Sequence, residues 1–528
     1  MEKGNPEWLH RILGLYPNRK KMKKIILFAT GIFSASVLFS QHIGIGTTVP
    51  AFKLDVSGGS INTDSLYRIG GNAVLSVKGT SNTFAGVNSG LSNTTGNSNT
   101  ALGFNSLYNN TAGNFNTATG VDALFSNTTG TYNTGMGWHA LRTNTLGTAN
   151  SALGEALEYN STGSYNTGIG HGALYQNTTA DANTAVGAFA LLNNTTGHSN
   201  SAFGVDAMRN NTTGGQNTAY GVHALYSNTT GWRNTAVGYD ALLYTTSFAT
   251  NNTAIGNESL KNNTTGENNS ALGSGTLYSN TTGEENTAVG INALGFNTAG
   301  WNNVGIGNAA LRHTTSASYN VAMGYAAGAV ANLGWNNTMI GSDTRADADG
   351  TFNSIALGSS ARATASNQAR IGNSSTVSIG GFVNWTNISD GRFKKNIQEN
   401  VKGLGFILKL RPVTYLLDAA ALSKKLDEQN GPSWNSDMQK GLAEKERMIQ
   451  SGFVAQEVEQ AAKETGYDFS GVDKPKNSSD LYGLRYAEFV VPLVKAVQEQ
   501  QQVILSQQKE IAEIKTILNE IIKRNSNK

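Results

Sequence analysis

From residue 82 onwards, the chain repeats one short pattern of polar and apolar positions. Each unit reads Asn-Thr-Ala-apolar-Gly, two variable residues, Ala-Leu, two variable residues, Asn-Thr-Thr-Gly and two further variable residues. The glycine that closes the first phrase advances by 17 residues from Gly86 to Gly358, with one step of 16 and one of 18, which makes seventeen copies. A fixed period with fixed apolar positions predicts a solenoid of stacked coils and argues against low-complexity disorder.

Within a unit, Asn-Thr-Ala-apolar-Gly predicts a short strand, whereas Ala-Leu-x-x-Asn leaves two interpretations open, a second strand or a single helical turn. Three side chains of a unit are reliably apolar: the first alanine, the residue before the glycine, and the leucine. We expect these to form apolar columns when units stack, and the asparagines and threonines to hydrogen-bond from coil to coil. At about 4.8 Å per coil, the repeats predict a rod roughly 80 Å long.

So few apolar side chains per coil would leave a solitary solenoid marginal, and three chains side by side could share one core. The repeats resemble the heads of trimeric autotransporter adhesins, which are left-handed parallel β-rolls with an Asn-Ser-x-Ala-Ile-Gly-like phrase. The resemblance implies a homotrimeric β-solenoid or β-roll. The 17-residue period is longer than is usual in that family, which leaves the cross-section and handedness open. The fold class that we predict is mainly β.

The last third of the chain has a different character. Past about residue 384, Lys, Arg, Glu and Leu become common, and the patterns are those of a mixed α/β domain followed by heptads. The first heptad position holds Val490, Val497, Ile504, Ile511 and Leu518, and the fourth holds Leu493, Gln500, Gln507, Ile514 and Ile521. Isoleucine at both positions favours trimers or tetramers over dimers, so we predict a trimeric coiled coil. The alternative is a single amphipathic helix that lies on its own domain.

Four separated motifs mark the C-terminal domain. They are SDGRFKKNI at 389–397, LRPVTY at 410–415, GFVAQEV at 452–458 and PLVKAVQEQ at 492–500. In this order they resemble the intramolecular chaperone domain that ends many phage tail spikes and fibres, including endosialidases, and some bacterial surface proteins. The resemblance implies a domain that trimerises, templates the fibre before it, and then cuts itself off. It also implies that Ser389 is the nucleophile, Lys394 its basic partner, and Ser389–Asp390 the bond that is cut.

The residue types in this stretch fit such chemistry. Serine becomes a good nucleophile when a base takes its proton, and a lysine can be that base when desolvation or a nearby cation favours its neutral form. Cations at positions 392 and 395 flank Lys394, and no histidine lies nearby. Attack of Ser389 Oγ on its own carbonyl needs a strained four-membered ring, whereas attack on the Ile388 carbonyl forms a five-membered ring, so the route stays open. The alternative is an unreactive Lys394–Asp390 ion pair.

The N-terminal sequence indicates where the protein is located. Four lysines between positions 20 and 24 precede an apolar run from Ile25 to Phe39. This is typical of a signal peptide cleaved after Ser40, with Met22 as an alternative start and a retained anchor as the alternative interpretation. We expect export to the bacterial surface or medium, with no membrane span in the mature chain.

The net charge of +3 gives no argument for nucleic acid, and the absence of cysteine excludes disulfides and thiolate metal sites. We expect no cofactor and no metal.

These patterns divide the chain into segments with separate roles. They are an N-terminal extension and signal peptide (1–40), a cap or attachment segment (41–80), the solenoid (81–375), a linker (376–388), the auto-processing chaperone domain (389–487) and the coiled-coil helix (488–528). We predict a secreted homotrimeric fibre or adhesin-like protein whose only chemistry acts on itself, with an unidentified surface or glycan ligand.

Two alternatives to this function are a glycan-degrading solenoid enzyme and a prophage tail fibre. A glycan hydrolase needs two carboxylates about 5–10 Å apart in a groove. The acidic residues of the repeats are sparse, and Asp122, Asp206 and Asp240 share one repeat position, two after the glycine. That position indicates turn or cap chemistry rather than a catalytic cluster.

Overall fold

The computed structural model describes residues 43–45, 54–56, 66–330, 333–347, 350–431 and 434–527. The strands are β1 Ile43–Ile45, β2 Leu54–Val56, β3 Leu66–Ile69, β4 Asn72–Ser76, β5 Thr83–Ala85, β6 Thr100–Leu102, β7 Thr117–Thr119, β8 Thr134–Met136, β9 Ser151–Leu153, β10 Thr167–Ile169, β11 Thr184–Val186, β12 Ser201–Phe203, β13 Thr218–Tyr220, β14 Thr235–Val237, β15 Thr253–Ile255, β16 Ser270–Leu272, β17 Thr287–Val289, β18 Val304–Ile306, β19 Val321–Met323, β20 Thr338–Ile340, β21 Arg345–Ala346, β22 Ile355–Leu357, β23 Arg362–Ala363, β24 Ala369–Ile371, β25 Val413–Tyr415, β26 Gln450–Gly452, β27 Val472–Asp473 and β28 Gly483–Leu484. The α-helices are α1 Leu404–Ile407, α2 Ala419–Lys425, α3 Ser436–Glu446, α4 Ala455–Glu464 and α5 Val490–Ser526.

The chain divides into two units, residues 1–67 and 68–528. In the first unit, β1 and β2 pair in parallel, with Ile43 opposite Leu54. The proposed signal peptide, at 20–40, lies outside the described residues.

The second unit is built on one long parallel ladder that runs from β5 to β20 and on through β22 and β24. Each strand pairs with the equivalent strand of the next coil, so that Ala219 stands opposite Ala236. Strand β4 runs antiparallel to β5 and occupies the first edge of the ladder, with Leu75 opposite Ala85. The predicted β-solenoid of 17-residue coils is therefore confirmed.

Three stacked apolar columns form the inside of the solenoid. In a typical coil these are Ala219 in the middle of the strand and the adjacent pair Ala224 and Leu225, all fully buried. The prediction was wrong about the residue before the glycine: Tyr220 is 59 % exposed and Leu272 is 49 % exposed. The reason is the alternation of side chains along a strand, which turns both neighbours of a buried alanine outward.

The Ala-Leu part of each coil is neither a strand nor a helix but a series of turns with left-handed residues. In the same coil, His223 has φ 59° and Leu225 has φ 54°. A non-glycine residue rarely takes this conformation, and the burial of the leucine offsets its cost. Gly221 has φ 139°, and a Cβ there would lie 2.4 Å from the carbonyl oxygen of Gly238 in the next coil. Glycine is therefore required where the coils approach most closely.

Two columns of buried asparagines hold neighbouring coils in register. In the first column, Oδ1 of Asn269 accepts hydrogen bonds from both the backbone N–H and the side-chain amide of Asn286, each at 3.1 Å. In the second column, the Asn280 amide donates to Asn263 Oδ1 at 2.8 Å and to the Gly283 carbonyl at 2.9 Å. A buried amide without a partner is costly, so each asparagine depends on another asparagine one coil away.

The C-terminal region follows the last coil and is mainly helical. Strand β25 pairs antiparallel with β26, and β27 with β28. A small core joins Phe406 of α1, Val458 of α4, and Phe469 and Phe489. Helix α1 is tied to α5 by the Leu404 N–H, which donates to Glu499 Oε2 at 2.7 Å. The motifs at 410–415 and 452–458 therefore supply the β25–β26 pair and the start of α4.

Two threonines occupy positions of the second asparagine column: Thr245 interrupts it, and Thr314 follows its last asparagine, Asn297. Both are fully buried, and the Oδ1 atoms of Asn228 and Asn297, one coil before each, are buried without a hydrogen-bond partner. The side chain of Thr314 is too short to donate to the asparagine below it. These two points are weak places in an otherwise continuous ladder.

We expect Thr314→Asn to stabilise the solenoid by about 1 kcal/mol, because the new amide would donate to Asn297 Oδ1. The measurement is the free energy of unfolding in denaturant. The matched control is Ser316→Asn in the same coil, where the side chain is exposed. Equal effects of the two substitutions, or a loss of stability with Thr314→Asn alone, would contradict the role given to the ladder.

Candidate functional site

The structure brings the two predicted site residues together. Asp390 caps a short 3-10 turn, Gly391–Phe393, by accepting a hydrogen bond from the Arg392 N–H at 2.9 Å. The turn reverses the chain, so that Lys394 Nζ donates to Ser389 Oγ at 2.9 Å. The nucleophile and base expected from the sequence are thus within hydrogen-bond distance of each other, as an activated serine requires.

Asp390 is paired with arginine rather than with the lysine. Arg392 Nε donates to Asp390 Oδ2 at 2.9 Å, and the terminal nitrogen of Arg392 donates to the same carboxylate. These hydrogen bonds from the Arg392 side chain, followed by the one from its backbone, lower the pKa of Asp390. The structure therefore does not contain the alternative Lys394–Asp390 ion pair, and Lys394 hydrogen-bonds to Ser389 instead.

The Ser389–Lys394 pair is exposed in the single chain. Apolar side chains beside it are also uncovered: Trp385 is 84 % exposed and Ile388 is 95 % exposed. A lysine acts as a base most readily when it is removed from water, and this chain alone provides no such cover at Lys394. The single chain thus forms the Ser389–Lys394 hydrogen bond but does not shield it from water. Shielding of the pair would have to come from another surface.

A second feature, which sequence reasoning missed, is the polar contact between the last solenoid coils and the C-terminal domain. We call it the joint, and it contains Thr364, Gln368 and Ser374 of the solenoid with Glu428, Asn477 and Asp480 of the domain. The solenoid residues are more than 50 positions away from their partners in the C-terminal domain, and no local sequence pattern predicts their contact.

Asp480 lies at the centre of the joint and is buried. Its carboxylate accepts hydrogen bonds from Thr364 Oγ1 at 2.6 Å, Gln368 Nε2 at 3.2 Å and the Lys476 N–H at 3.0 Å. Burial alone would raise the pKa of Asp480, but the hydrogen bonds from Thr364, Lys476 and Gln368 outweigh it and lower the pKa to about 2. The charged form of Asp480 is therefore the one that the joint stabilises.

Glu428 makes the other half of the joint. Its carboxylate accepts a hydrogen bond from the Ser374 N–H at 3.1 Å and another from the Ser374 hydroxyl. Nearby, the Arg362 side chain donates to the carbonyl of Leu426. The domain thus covers the end of the solenoid through buried side chains of both parts, in addition to the covalent linker.

The three aspartates that share a repeat position lie in turns, as expected. Asp122, Asp206 and Asp240 have φ values of 57°, 58° and 54°. Asp122 nevertheless belongs to a cluster that the sequence analysis did not identify, in which Glu155 and Glu158 approach His139. The available signal was the single 16-residue step of the repeat, between Gly154 and Gly170.

Fold and site together define a class of protein, a parallel β-solenoid whose end is covered by a C-terminal domain with a Ser–Lys pair at their boundary. Residues 389–467 match the family model described as chaperone of endosialidase. The chain therefore carries a chaperone domain of that type, which together with the solenoid fits a tail-fibre or endosialidase-type protein. No curated protein matches the chain. Among the described residues, no helix combines the length and apolar character needed to cross a membrane.

We expect the joint to weaken in acid because of Asp480. Its folded pKa of about 2 lies below the ordinary value of 3.8, so its contribution is present above about pH 4 and is lost as the pH falls towards 2. The shift corresponds to about 2 kcal/mol. Hydrogen exchange of residues 364–368 and 476–482, followed between pH 6 and pH 2, measures the loss.

In the variant Asp480→Asn, the protection of these segments against exchange, relative to the intrinsic exchange rate at each pH, is expected to be lower at neutral pH and to change less between pH 6 and pH 2. Asp437→Asn is the matched control, because that carboxylate is exposed and pairs only with Lys440 within its own helix. An unchanged acid response in Asp480→Asn would show that another group controls the joint.

Proposed function

We propose that this protein is a secreted, homotrimeric fibre or adhesin-like protein whose C-terminal domain aligns three chains, templates the solenoid, and then cuts itself off at Ser389–Asp390. The observation that carries the proposal is the chaperone of endosialidase match at 389–467, in a domain that is docked on the last coils. Export rests on the lysine-rich and apolar pattern near the N-terminus.

The outer surface of the solenoid supports assembly. The residue before each coil's glycine points outward, and in nine coils it is a large apolar residue with substantial exposure: Leu102, Met136, Leu153, Ile169, Tyr220, Ile255, Leu272, Met323 and Ile340. We call this column the outer stripe. Because the coils stack in register, the outer stripe extends from Leu102 to Ile340 and is interrupted at Thr119. Soluble monomers rarely expose so long an apolar surface, and two further copies of the chain would cover it.

Helix α5 supports the same stoichiometry. It spans Val490–Ser526, and its only buried residues are Pro492 and Ala496. The apolar residues of its heptads are uncovered: Val497 is 58 % exposed, Ile511 51 % and Ile514 62 %. A 37-residue helix with an apolar seam is stable in water when the seam faces partner helices. Isoleucine at both seam positions favours three or four strands over two.

Templating follows from the way the ladder grows. A coil gains its strand pairing and its asparagine hydrogen bonds only when a neighbouring coil is already formed, so the first coil is the costly one. The joint gives the last coil a folded neighbour, because Asp480 and Glu428 occupy polar groups of the segment from Thr364 to Ser374. The coils can then add one by one from that end.

Self-cleavage rests on the Ser389–Lys394 pair. Lys394 Nζ takes the proton of Ser389 Oγ, the resulting alkoxide attacks a carbonyl carbon, and water completes hydrolysis to one carboxylate and one amine. Two routes avoid the four-membered ring. In the first, the Ser389 alkoxide of one chain attacks the Ser389 carbonyl carbon of a neighbouring chain, the Asp390 nitrogen leaves as the amine, and water hydrolyses the ester. In the second, Ser389 attacks the Ile388 carbonyl, its own nitrogen leaves as the amine, and hydrolysis of the ester leaves a chain ending at Ile388. The first route gives the predicted cut at Ser389–Asp390, and the terminus of the released fragment distinguishes the two.

We expect the wild-type chain, expressed from Gln41, to release a C-terminal fragment that begins at Asp390. Ser389→Ala and Lys394→Ala are expected to abolish release, because each removes one member of the pair, and to leave the protein trimeric. Denaturing gels of boiled and unboiled samples measure the two properties together, and mass spectrometry of the fragment identifies its first residue. Lys402→Ala is the matched control, since that lysine is exposed and lies outside the 389–397 motif.

Wild-type protein that stays intact while it is trimeric would refute self-cleavage. A fragment that begins at Ser389 instead would keep the nucleophile and exchange the route for attack on Ile388.

We expect Ile511→Glu to weaken the trimer, because it places a charge in the seam of α5. Thr516→Glu on the same helix is the matched control, since position 516 lies away from the seam and is expected to leave the trimer unchanged. Sedimentation equilibrium over a range of protein concentrations measures both. A folded, solitary solenoid obtained from a chain that ends at Asn387 and never carried the tail would overturn both trimerisation and templating.

A further inference from the structure

The repeat loses one residue in the coil between Gly154 and Gly170, and this changes the space above His139. In other coils, the residue two after the glycine donates its N–H to the coil before it, as His139 does to the Val121 carbonyl at 3.0 Å. The shortened coil lacks that residue: Glu155 comes directly before Ala156. The next coil has Gly172 at this position, which has no side chain. His139 therefore has no side chain stacked above it in its own column.

Two carboxylates approach the imidazole in this space. Glu158 Oε1 lies 3.3 Å from His139 Nδ1, and one ligand atom from each of His139, Glu155 and Glu158 lies within 4.8 Å of the others. Glu155 is held by His171, whose Nδ1 lies 2.6 Å from Glu155 Oε2. The indole of Trp138 stacks on the His139 ring at 3.6 Å and screens it from water.

Several polar atoms at this point make no hydrogen bond, although His139 Nδ1 and Glu158 Oε1 lie within ion-pair distance of each other. His139 Nδ1 and Glu158 Oε2 are buried without a hydrogen bond, and the Glu158 side chain is only 5 % exposed. Arg142 is near but does not satisfy them, because its guanidinium lies 3.9 Å from Glu158 and 3.8 Å from Asp122, and its Nε is also buried without a partner. A buried carboxylate oxygen without a donor is costly, and a cation would remove that cost.

The net charge of the cluster is negative, which favours the binding of a divalent cation. Asp122, Glu155 and Glu158 contribute three negative charges and Arg142 one positive charge, so the cluster carries −2 when the histidines are neutral. Imidazole and carboxylate are ligands of zinc and of neighbouring transition metals. With bonds of about 2.0–2.1 Å, the ligand atoms of a tetrahedral zinc ion lie about 3.3 Å apart. The observed separation of His139 Nδ1 and Glu158 Oε1 has that value.

We propose that His139, Glu155 and Glu158 bind a divalent transition-metal ion of the zinc type, which fastens the shortened coil to the coil before it. His171 acts from outside the ligand set, because its hydrogen bond orients the Glu155 carboxylate. The proposal revises the expectation of a metal-free chain, and it is independent of trimerisation and of self-cleavage. The rival arrangement is a protonated His139 that forms ion pairs with Asp122 and Glu158 and binds no metal.

The test is calorimetric titration of the chelator-treated full chain, without a histidine tag, with Zn²⁺. We expect one zinc ion per chain, and a rise in the thermal unfolding midpoint when zinc is added. Glu158→Gln preserves the shape of the side chain and is expected to weaken zinc binding about tenfold or more and to remove the thermal response. His139→Ala is expected to do the same, and circular dichroism checks that both variants fold.

His198→Ala is the matched control, since His198 is an exposed solenoid histidine whose ring meets the Trp232 ring edge to face, with 5.2 Å between the ring centroids. It is expected to bind zinc as the wild type does. Co²⁺ adds a spectroscopic readout, because visible absorption bands of the bound ion appear in wild type and in His198→Ala but not in Glu158→Gln. Absence of zinc binding by the wild type, or equal affinity in Glu158→Gln, would overturn the proposal and leave the protonated His139 ion pair.

Discussion

The structure depends on one constraint, that each buried asparagine needs an identical asparagine one coil away. The amide of Asn286 is satisfied by Asn269 and the amide of Asn280 by Asn263, so a coil that slips by one residue would bury polar groups without partners. The apolar columns alone would tolerate such a slip poorly but would not forbid it. The asparagine ladders therefore set the register, and the alanine and leucine columns supply the burial.

The strand ladder leaves backbone groups without a next strand at each of its two ends, and the chain covers the two ends differently. At the first end, β4 runs antiparallel to β5 and covers the edge with a local hairpin-like segment. At the last end, the C-terminal domain contributes Asp480 and Glu428, whose carboxylates accept hydrogen bonds from the last coils. The first cap is formed by neighbouring sequence, whereas the distal cap is formed by a separate domain, as the proposed role in templating requires.

Much of the fold could be predicted because the same sequence pattern recurs in every coil. The period, the strand and the stacked asparagines all follow from seventeen copies of one phrase. The outward direction of residues such as Tyr220 was missed because a three-residue strand shows too little alternation of polar and apolar side chains. The left-handed backbone of the leucines was missed because packing between coils, which the sequence does not display, offsets the conformational cost of that backbone. The Ser389–Lys394 pair was predictable because it is local, whereas the joint and the His139 cluster join residues of different coils or domains.

The position of the Ser389–Lys394 pair relates chemistry to assembly. The pair lies on an exposed segment next to uncovered apolar side chains such as Ile388, outside the core of either the solenoid or the domain. A lysine there remains surrounded by water until other surfaces close over it. If the neighbouring chains supply that cover, cutting follows trimerisation and cannot precede it. The domain would then be removed only after it has aligned the chains, and the joint would hold the cut fragment on the solenoid until its polar contacts open.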